Sequence, residues 1–187
     1  MKTHAMTVLI AKVALACLVI AAGSARADTI YLSITAQKQG ALRGDSGKGA
    51  VEGRISVLKF RHEILAPIDT TTGQATGKRQ HKPVVITKAW GASSPQLFQA
   101  LVTNELLTEV VIDFVGPDPA TGGIVLNHRI RLLNAKVIDI ASAADTPTVG
   151  PGAGITRQLE DVSFSYQRIE LEDSASRLTA VDDRNLP

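Results

Sequence analysis

The sequence predicts a mainly β fold of long antiparallel strands with one flanking α-helix. Three observations carry this. Apolar residues recur at every second position through most of the chain, a single segment has helical spacing, and glycine- and proline-rich clusters separate the alternating stretches. The chain has 187 residues, of which 44% are hydrophobic and 20% charged, which suits one domain with a sizeable core.

The first 27 residues stand apart. Lys2 and Lys12 precede an apolar run from Val13 to Ala22, and Gly23-Ser24-Ala25-Arg26-Ala27 follows it. A charged start, a short hydrophobic region and an A-x-A pattern are the marks of a secretory signal peptide. A run of about ten residues is too short to span a bilayer as a helix, so no stable membrane insertion is expected. Cys17 lies inside this segment, and the remainder therefore forms no disulfide. Lys2, Lys12 and Arg26 also lie there, leaving 17 basic against 18 acidic residues in the other 160. That near-neutral balance argues against a nucleic-acid or anionic-membrane binder.

The strands begin with Ile30, Leu32 and Ile34 alternating with Thr29, Tyr31, Ser33 and Thr35. Five glycines between Gly40 and Gly53 mark a loop. From Val51 to Ile64 the apolar parity changes between Val57 and Leu58, as a β-bulge would produce. A polar segment from Gly73 to Lys82 then runs into the β-branched strand Val84 to Thr87. Ser93-Ser94-Pro95 offers an N-cap serine with proline at the first helical position. Leu97, Phe98, Leu101, Val102 and Leu106 form one stripe at helical spacing, expected to face the core. Trp90, just before it, is either a core plug or a surface anchor.

Strand periodicity resumes at Val110, Ile112 and Phe114, alternating with Glu109, Val111 and Asp113. Residues Gly116 to Gly123 reverse the chain. Ile124, Leu126, Ile130 and Leu132 share a parity with His128, while Asn127, Arg129 and Arg131 take the other. Ser142 to Gly154 is rich in glycine and proline and is expected to be a surface loop. Val162, Phe164 and Tyr166 complete the pattern, and residues 173–187 form a polar C-terminal tail. No internal repeat and no domain boundary is visible.

Catalytic patterns are not met. His62-Glu63 lacks the second histidine that a zinc-binding helix needs, and the other histidines are scattered. Gly73 to Lys78 has three residues between its glycines, Arg79 stands where a phosphate-binding loop needs Ser or Thr, and a strand follows instead of a helix. No G-x-S-x-G elbow occurs. The expectation is a protein that is not an enzyme, with no cofactor and no metal.

Four segments carry a further signal. They are Asp28-Thr29-Ile30-Tyr31-Leu32-Ser33-Ile34, the run Gly77-Lys78-Arg79-Gln80-His81-Lys82-Pro83 through Thr87-Lys88, Ser93-Ser94-Pro95-Gln96-Leu97-Phe98 through Glu105, and Glu160-Asp161-Val162-Ser163-Phe164-Ser165-Tyr166-Gln167. In this order and spacing the chain resembles the haemolysin-coregulated protein (Hcp) family, the tube subunit of the bacterial type VI secretion system. The resemblance implies an Hcp-like β-barrel over residues 28–172, homo-hexamer rings stacked into a secreted tube, and a bore that carries effector proteins. It also implies a spike protein and a contractile sheath as partners. By resemblance, Gln74, Thr76, Gly77, Lys78, Arg79, His81 and Lys82 form the loop on which rings stack. Ion pairs from such a loop contribute little each, so that contact is expected to be weak per subunit and salt-sensitive. Lys59, Arg61, Glu63, Arg129 and Arg131 are the candidates for a polar bore face; alternation does not decide which strand takes that role.

Two features depart from the family pattern. Members usually begin near Ala27, so the leader reflects either export or a wrongly assigned start. Asp182-Asp183 lacks the aromatic neighbour usual near the family's acidic ending. The rival reading is a secreted monomeric β-barrel that binds a small ligand.

Overall fold

The structure is a computed structural model that describes residues 29–47, 51–118, 121, 123–146, 148, 150 and 154–185. The expected signal segment lies outside these residues. Twelve strands and one helix occur in the order β1 Thr29–Ala36, β2 Gly40–Ala41, β3 Ile55–Val57, β4 Lys59–Arg61, β5 Ile64–Leu65, β6 Gln80–His81, β7 Val84–Ala89, α1 Ser93–Val102, β8 Leu107–Pro117, β9 Ile124–Asp145, β10 Arg157–Ser165, β11 Arg168–Asp173 and β12 Leu178–Asp183. Every pairing among them is antiparallel. The fold is mainly β with one helix, as the alternation predicts.

Ten strands form one strongly bent sheet in the order β2-β1-β8-β9-β10-β7-β4, with β3 on β1, β11 on β9 and β12 on β11. Strand β9, 22 residues long, belongs to both halves. Its first part pairs with β8 and β11, its last part with β10. Asn134 has φ 50° and marks the corner between them. Ile130 and Leu132 are buried before it, Ala135 and Val137 after it, so the inward parity flips at that residue. Asparagine tolerates this left-handed conformation better than most residues.

The parity change at Val57/Leu58 is a change of partner, not a bulge within one ladder. Strand β3 pairs with β1, β4 pairs with β7, and Leu58 joins them while its N–H bonds Thr87 O at 2.7 Å. The barrel is therefore completed here by the covalent chain, and its hydrogen-bonded ladder stays open. Two other differences concern boundaries. Strand β9 extends to Asp145, pairing Ser142 with Glu160 and Asp145 with Arg157, so the expected loop starts later. The polar tail supplies β12, whose Leu178 to Asp183 pair along the whole of β11.

Leu32, Ile34, Val110, Ile112, Leu132 and Ile169 from the first half meet Val84, Ile86, Val162 and Phe164 from the second, all buried, around one core. Helix α1 closes it with Leu97 and Ala100, both fully buried. The predicted helical stripe divides: Leu97 and Leu101 turn inward, whereas Phe98 is 59% and Val102 58% exposed. Small Ser93, Ser94 and Ala100 occupy the rest of the inner face. Trp90 is 56% exposed and is not a core plug.

The helix start is built from distant parts. Its cap position is Ala92, one residue before the expected serine, and Asp45 accepts the Ala92 N–H at 2.9 Å. Gly91 permits this approach, because a Cβ there would lie 1.8 Å from Asp45 Oδ2. Ser94 instead turns inward into a buried ionic network. Lys88 and Glu160, 1% and 2% exposed, pair at 2.6 Å, and Lys88 Nζ also donates to Ser94 Oγ at 2.9 Å and Ala89 O at 2.8 Å. The Ser94 hydroxyl donates to Glu160 at 2.9 Å. Three of the four family-like segments thus meet at one point joining β7, β10 and α1.

Candidate functional site

Residues 62–83 leave the sheet as a projecting arm. Its legs are β5 and β6, paired Ile64 to His81 and Leu65 to Gln80, with one further bridge between Ile68 and Ala75. Turn chemistry shapes the tip. Asp69 accepts the N–H of Thr71 at 2.7 Å, and backbone bonds join Asp69 with Gln74 and Thr76 N with Pro67 O. The N–H bonds from Thr71 and then Thr72 to its side chain hold the Asp69 carboxyl below its ordinary range. The segment expected to be a loop is thus a short hairpin of its own.

A polar cluster pins the arm's base. Tyr166, buried just past the end of β10, places its hydroxyl 2.6 Å from His62 Nε2 and 2.9 Å from His81 Nδ1. The phenol can accept an N–H from either imidazole and give its own hydrogen to one, the roles following the two ring tautomers. Burial, followed by the nearby His81, lowers the His62 pKa and favours its neutral form. Burial likewise pushes Tyr166 up to about 12. His81 Nε2 lies 2.9 Å from Asp182 Oδ2, close enough for charge attraction but without hydrogen-bond alignment.

Arg79 forms a two-pronged pair with Asp182 and also donates to Asp183 O at 3.3 Å. The Arg79 hydrogen bond is the main cause holding Asp182 below the usual carboxylate range. The strand β12 therefore clamps the arm. This decides the fate of the predicted loop residues. Gln74, Thr76, Gly77, Lys78 and Lys82 are exposed on the arm, while Arg79 and His81 are engaged within the molecule. Sequence reasoning from charge missed the arm's apolar part: Ile64, Leu65 and Ile68 are 42%, 43% and 58% exposed. Three apolar residues in a Gly/Pro-bounded polar stretch were the available signal.

The five bore candidates fall on separate surfaces. Lys59 and Arg61 lie on β4 in cross-strand rows with Thr87 and Asp161, and with Val85 and Ser163. Neither cation engages another side chain among the described residues. Arg129 and Arg131 lie on the outward face of the other half-sheet. Arg129 bonds the buried Asp113 at 2.7 and 3.0 Å, and Arg131 sits 3.3 Å from Glu109. Glu63 belongs to neither face; its carbonyl accepts Lys82 N–H at the arm's base. Among the described residues, no three His, Cys, Asp or Glu side chains converge as a metal-binding group.

The family model for "Type VI secretion system effector, Hcp" matches residues 31–172. The chain belongs to the Hcp family. The "Major exported protein" of Pseudomonas aeruginosa is 34% identical over 170 residues, covering 86% of this chain and 98% of that protein. Among solved structures, a crystal structure of an Hcp protein superposes with TM-score 0.77 at 24% identity, covering 86% of this chain and all of the other. The secreted protein Hcp3 from Pseudomonas aeruginosa gives TM-score 0.67 at 29% identity, covering 84% and 98%. The Hcp fold is thus shared over nearly the whole described region, and the chain is a component of the type VI secretion class of proteins.

Proposed function

We propose that this Hcp-family chain is a tube subunit: six copies associate head to tail into a ring, and rings stack through the projecting arm. A heterologous contact that closes by rotation gives a ring. It would also cover the outer edge of β12, which pairs only with β11 among the described residues. Work of this kind is mechanical and associative and needs no bond chemistry. Effector proteins travel in the bore, with spike and sheath as family partners, and the tube is itself secreted. Residues 1–27 serve as an export leader in this reading. The kinship to the Pseudomonas "Major exported protein" supports export.

The observation that carries the reading is the arm, pinned at its base and apolar toward solvent. Covering the exposed half of an Ile or Leu side chain contributes about 1 kcal/mol, roughly half of the full-burial value, against about 0–1 kcal/mol for an exposed ion pair. Ile64, Leu65 and Ile68 therefore outweigh Lys78 and Lys82, and stacking is less salt-sensitive than charge alone implies. For the bore we favour the face of β4, β7 and β10. Lys59 and Arg61 engage no other side chain among the described residues and can meet cargo, whereas Arg129 and Arg131 already pair with Asp113 and Glu109.

Light scattering and electron microscopy of the purified chain test the proposal. Six-subunit annuli are expected, and Ile68→Asp with Lys78→Glu should leave rings that no longer stack. A monomer at tens of micromolar would favour the secreted ligand-binding barrel instead. A mature N-terminus at Asp28, found by mass spectrometry of exported protein, tests the leader.

A further inference from the structure

Away from the arm, the outward side of the first half-sheet, which carries the bore candidate Arg129, holds a cavity of about 540 Å³ at the start of β1 and the strand ends of the β8–β9 hairpin. Its floor is Asp113, whose side chain is 4% exposed and lies between two guanidinium groups. Arg54 NH1 donates to Asp113 Oδ2 at 2.7 Å, and Arg129 donates from Nε and NH2. Burial opposes ionisation of Asp113, but the hydrogen bonds and charge of Arg129, then Arg54, outweigh it and hold the carboxyl below its ordinary range. Among the charged groups that line the cavity two cations face one buried anion, with Glu109 and Glu172 near Arg129 but outside the lining, so the unshared positive charge rests mainly on Arg54.

Each guanidinium carries about five N–H donors, and most of those on Arg54 and Arg129 have no partner among the described residues. The Tyr31 hydroxyl also lines the cavity and engages no other group among the described residues. Around this polar floor the walls are apolar. Val115, Pro117, Val125 and Leu126 line it, and Ile124 stands 71% exposed at the rim. Apolar walls around convergent donors are the composition of a ligand site more than of a solvated sheet face.

We propose that this cavity docks an extended acidic peptide segment of a partner protein, one carboxylate side chain meeting Arg54, Arg129 and Tyr31 while an adjacent apolar side chain rests on Val115, Val125 and Leu126. Guanidinium recognises a carboxylate through parallel N–H bonds, which Arg54 can offer without releasing Asp113. The apolar rim would be covered by the neighbouring residue of the same segment. The site does not depend on ring formation, because all its groups come from one copy.

The test uses the full chain and three probes: a blocked tripeptide with glutamate between two leucines, its glutamine counterpart, and a short duplex oligonucleotide. Amide NMR shifts locate binding, and calorimetry ranks it. The glutamate peptide should move the signals of Tyr31, Val115 and Arg129 and bind about tenfold more tightly than the glutamine peptide, the scale of one charge-assisted hydrogen bond. Arg54→Met should remove that preference while Arg129 still pairs Asp113, with thermal unfolding used to show that the variant is folded. Tyr31→Phe, which keeps the ring, should weaken binding less. Equal binding of both peptides, stronger binding of the oligonucleotide, shifts elsewhere on the surface, or no shifts at about 10 mM peptide would each overturn the proposal.

Discussion

Replacing Lys88 by methionine keeps most of the unbranched side chain and removes its ammonium. In the folded protein that ammonium satisfies Glu160, Ser94 and Ala89 O at once, in a site with 1–2% exposure. The variant leaves the Glu160 carboxyl buried, with the Ser94 hydroxyl as its remaining side-chain donor among the described residues. Breaking a buried pair in this way costs about 3–5 kcal/mol, a large share of the 5–15 kcal/mol typical of a domain. At about 2–4 °C per kcal/mol for this chain length, Tm should fall by about 6–20 °C. Urea unfolding and calorimetry at one fixed protein concentration measure it, since assembly shifts apparent stability. The double variant Lys88→Met with Glu160→Gln should lose markedly less than the two single losses together, because no unpaired charge remains. Additive losses, or a Lys88→Met loss below about 1 kcal/mol, would refute the argument that the network is a closed ionic unit.

Asp45→Ala removes the long-range cap of α1 and should cost about 1 kcal/mol in urea unfolding, with the loss confined to that helix in hydrogen exchange. His62 has a lowered pKa because burial, then His81, disfavours its charge. Its contribution is therefore fully present above the ordinary value of 6.5 and declines as pH falls through the lower folded value; His62→Gln should flatten that part of the stability profile. Asp182, held down chiefly by its Arg79 hydrogen bond, contributes above its ordinary value of 3.8 and loses that contribution as pH falls below it. Proteolysis of the arm should accelerate there, and Asp182→Asn should show the faster rate already at neutral pH.

Alternation made the strands legible because a half-buried antiparallel sheet imposes period two on each strand separately. It also located the junction at Leu58, although it could not say that the partner strand changes there. The helix was visible from Leu97, Leu101 and Pro95, but its inner face could not be read from hydrophobicity. Small Ser93, Ser94 and Ala100 lie inward, and Phe98 and Val102 outward. Strand β12 escaped because most of its residues are exposed on both sides, so no parity is imposed on them. The arm's clamp was hidden for a different reason. Arg79 meets Asp182 across 103 positions, and Asp45 reaches Ala92 across 47, separations at which local pattern carries no information. Charge marked the segment, but could not show that Arg79 and His81 pair within the molecule while Lys78 and Lys82 stay exposed.

Strand β9 has a mechanical consequence. It runs for 22 residues through both halves of the sheet, roughly 70 Å if straight and somewhat less with its corner at Asn134. A load applied along it is shared by ladders with β8, β11 and β10, which must slide together and cannot open one bond at a time. A subunit propelled lengthwise would transmit thrust through this strut from one end to the other, leaving the thin junction at Leu58 largely outside the line of force.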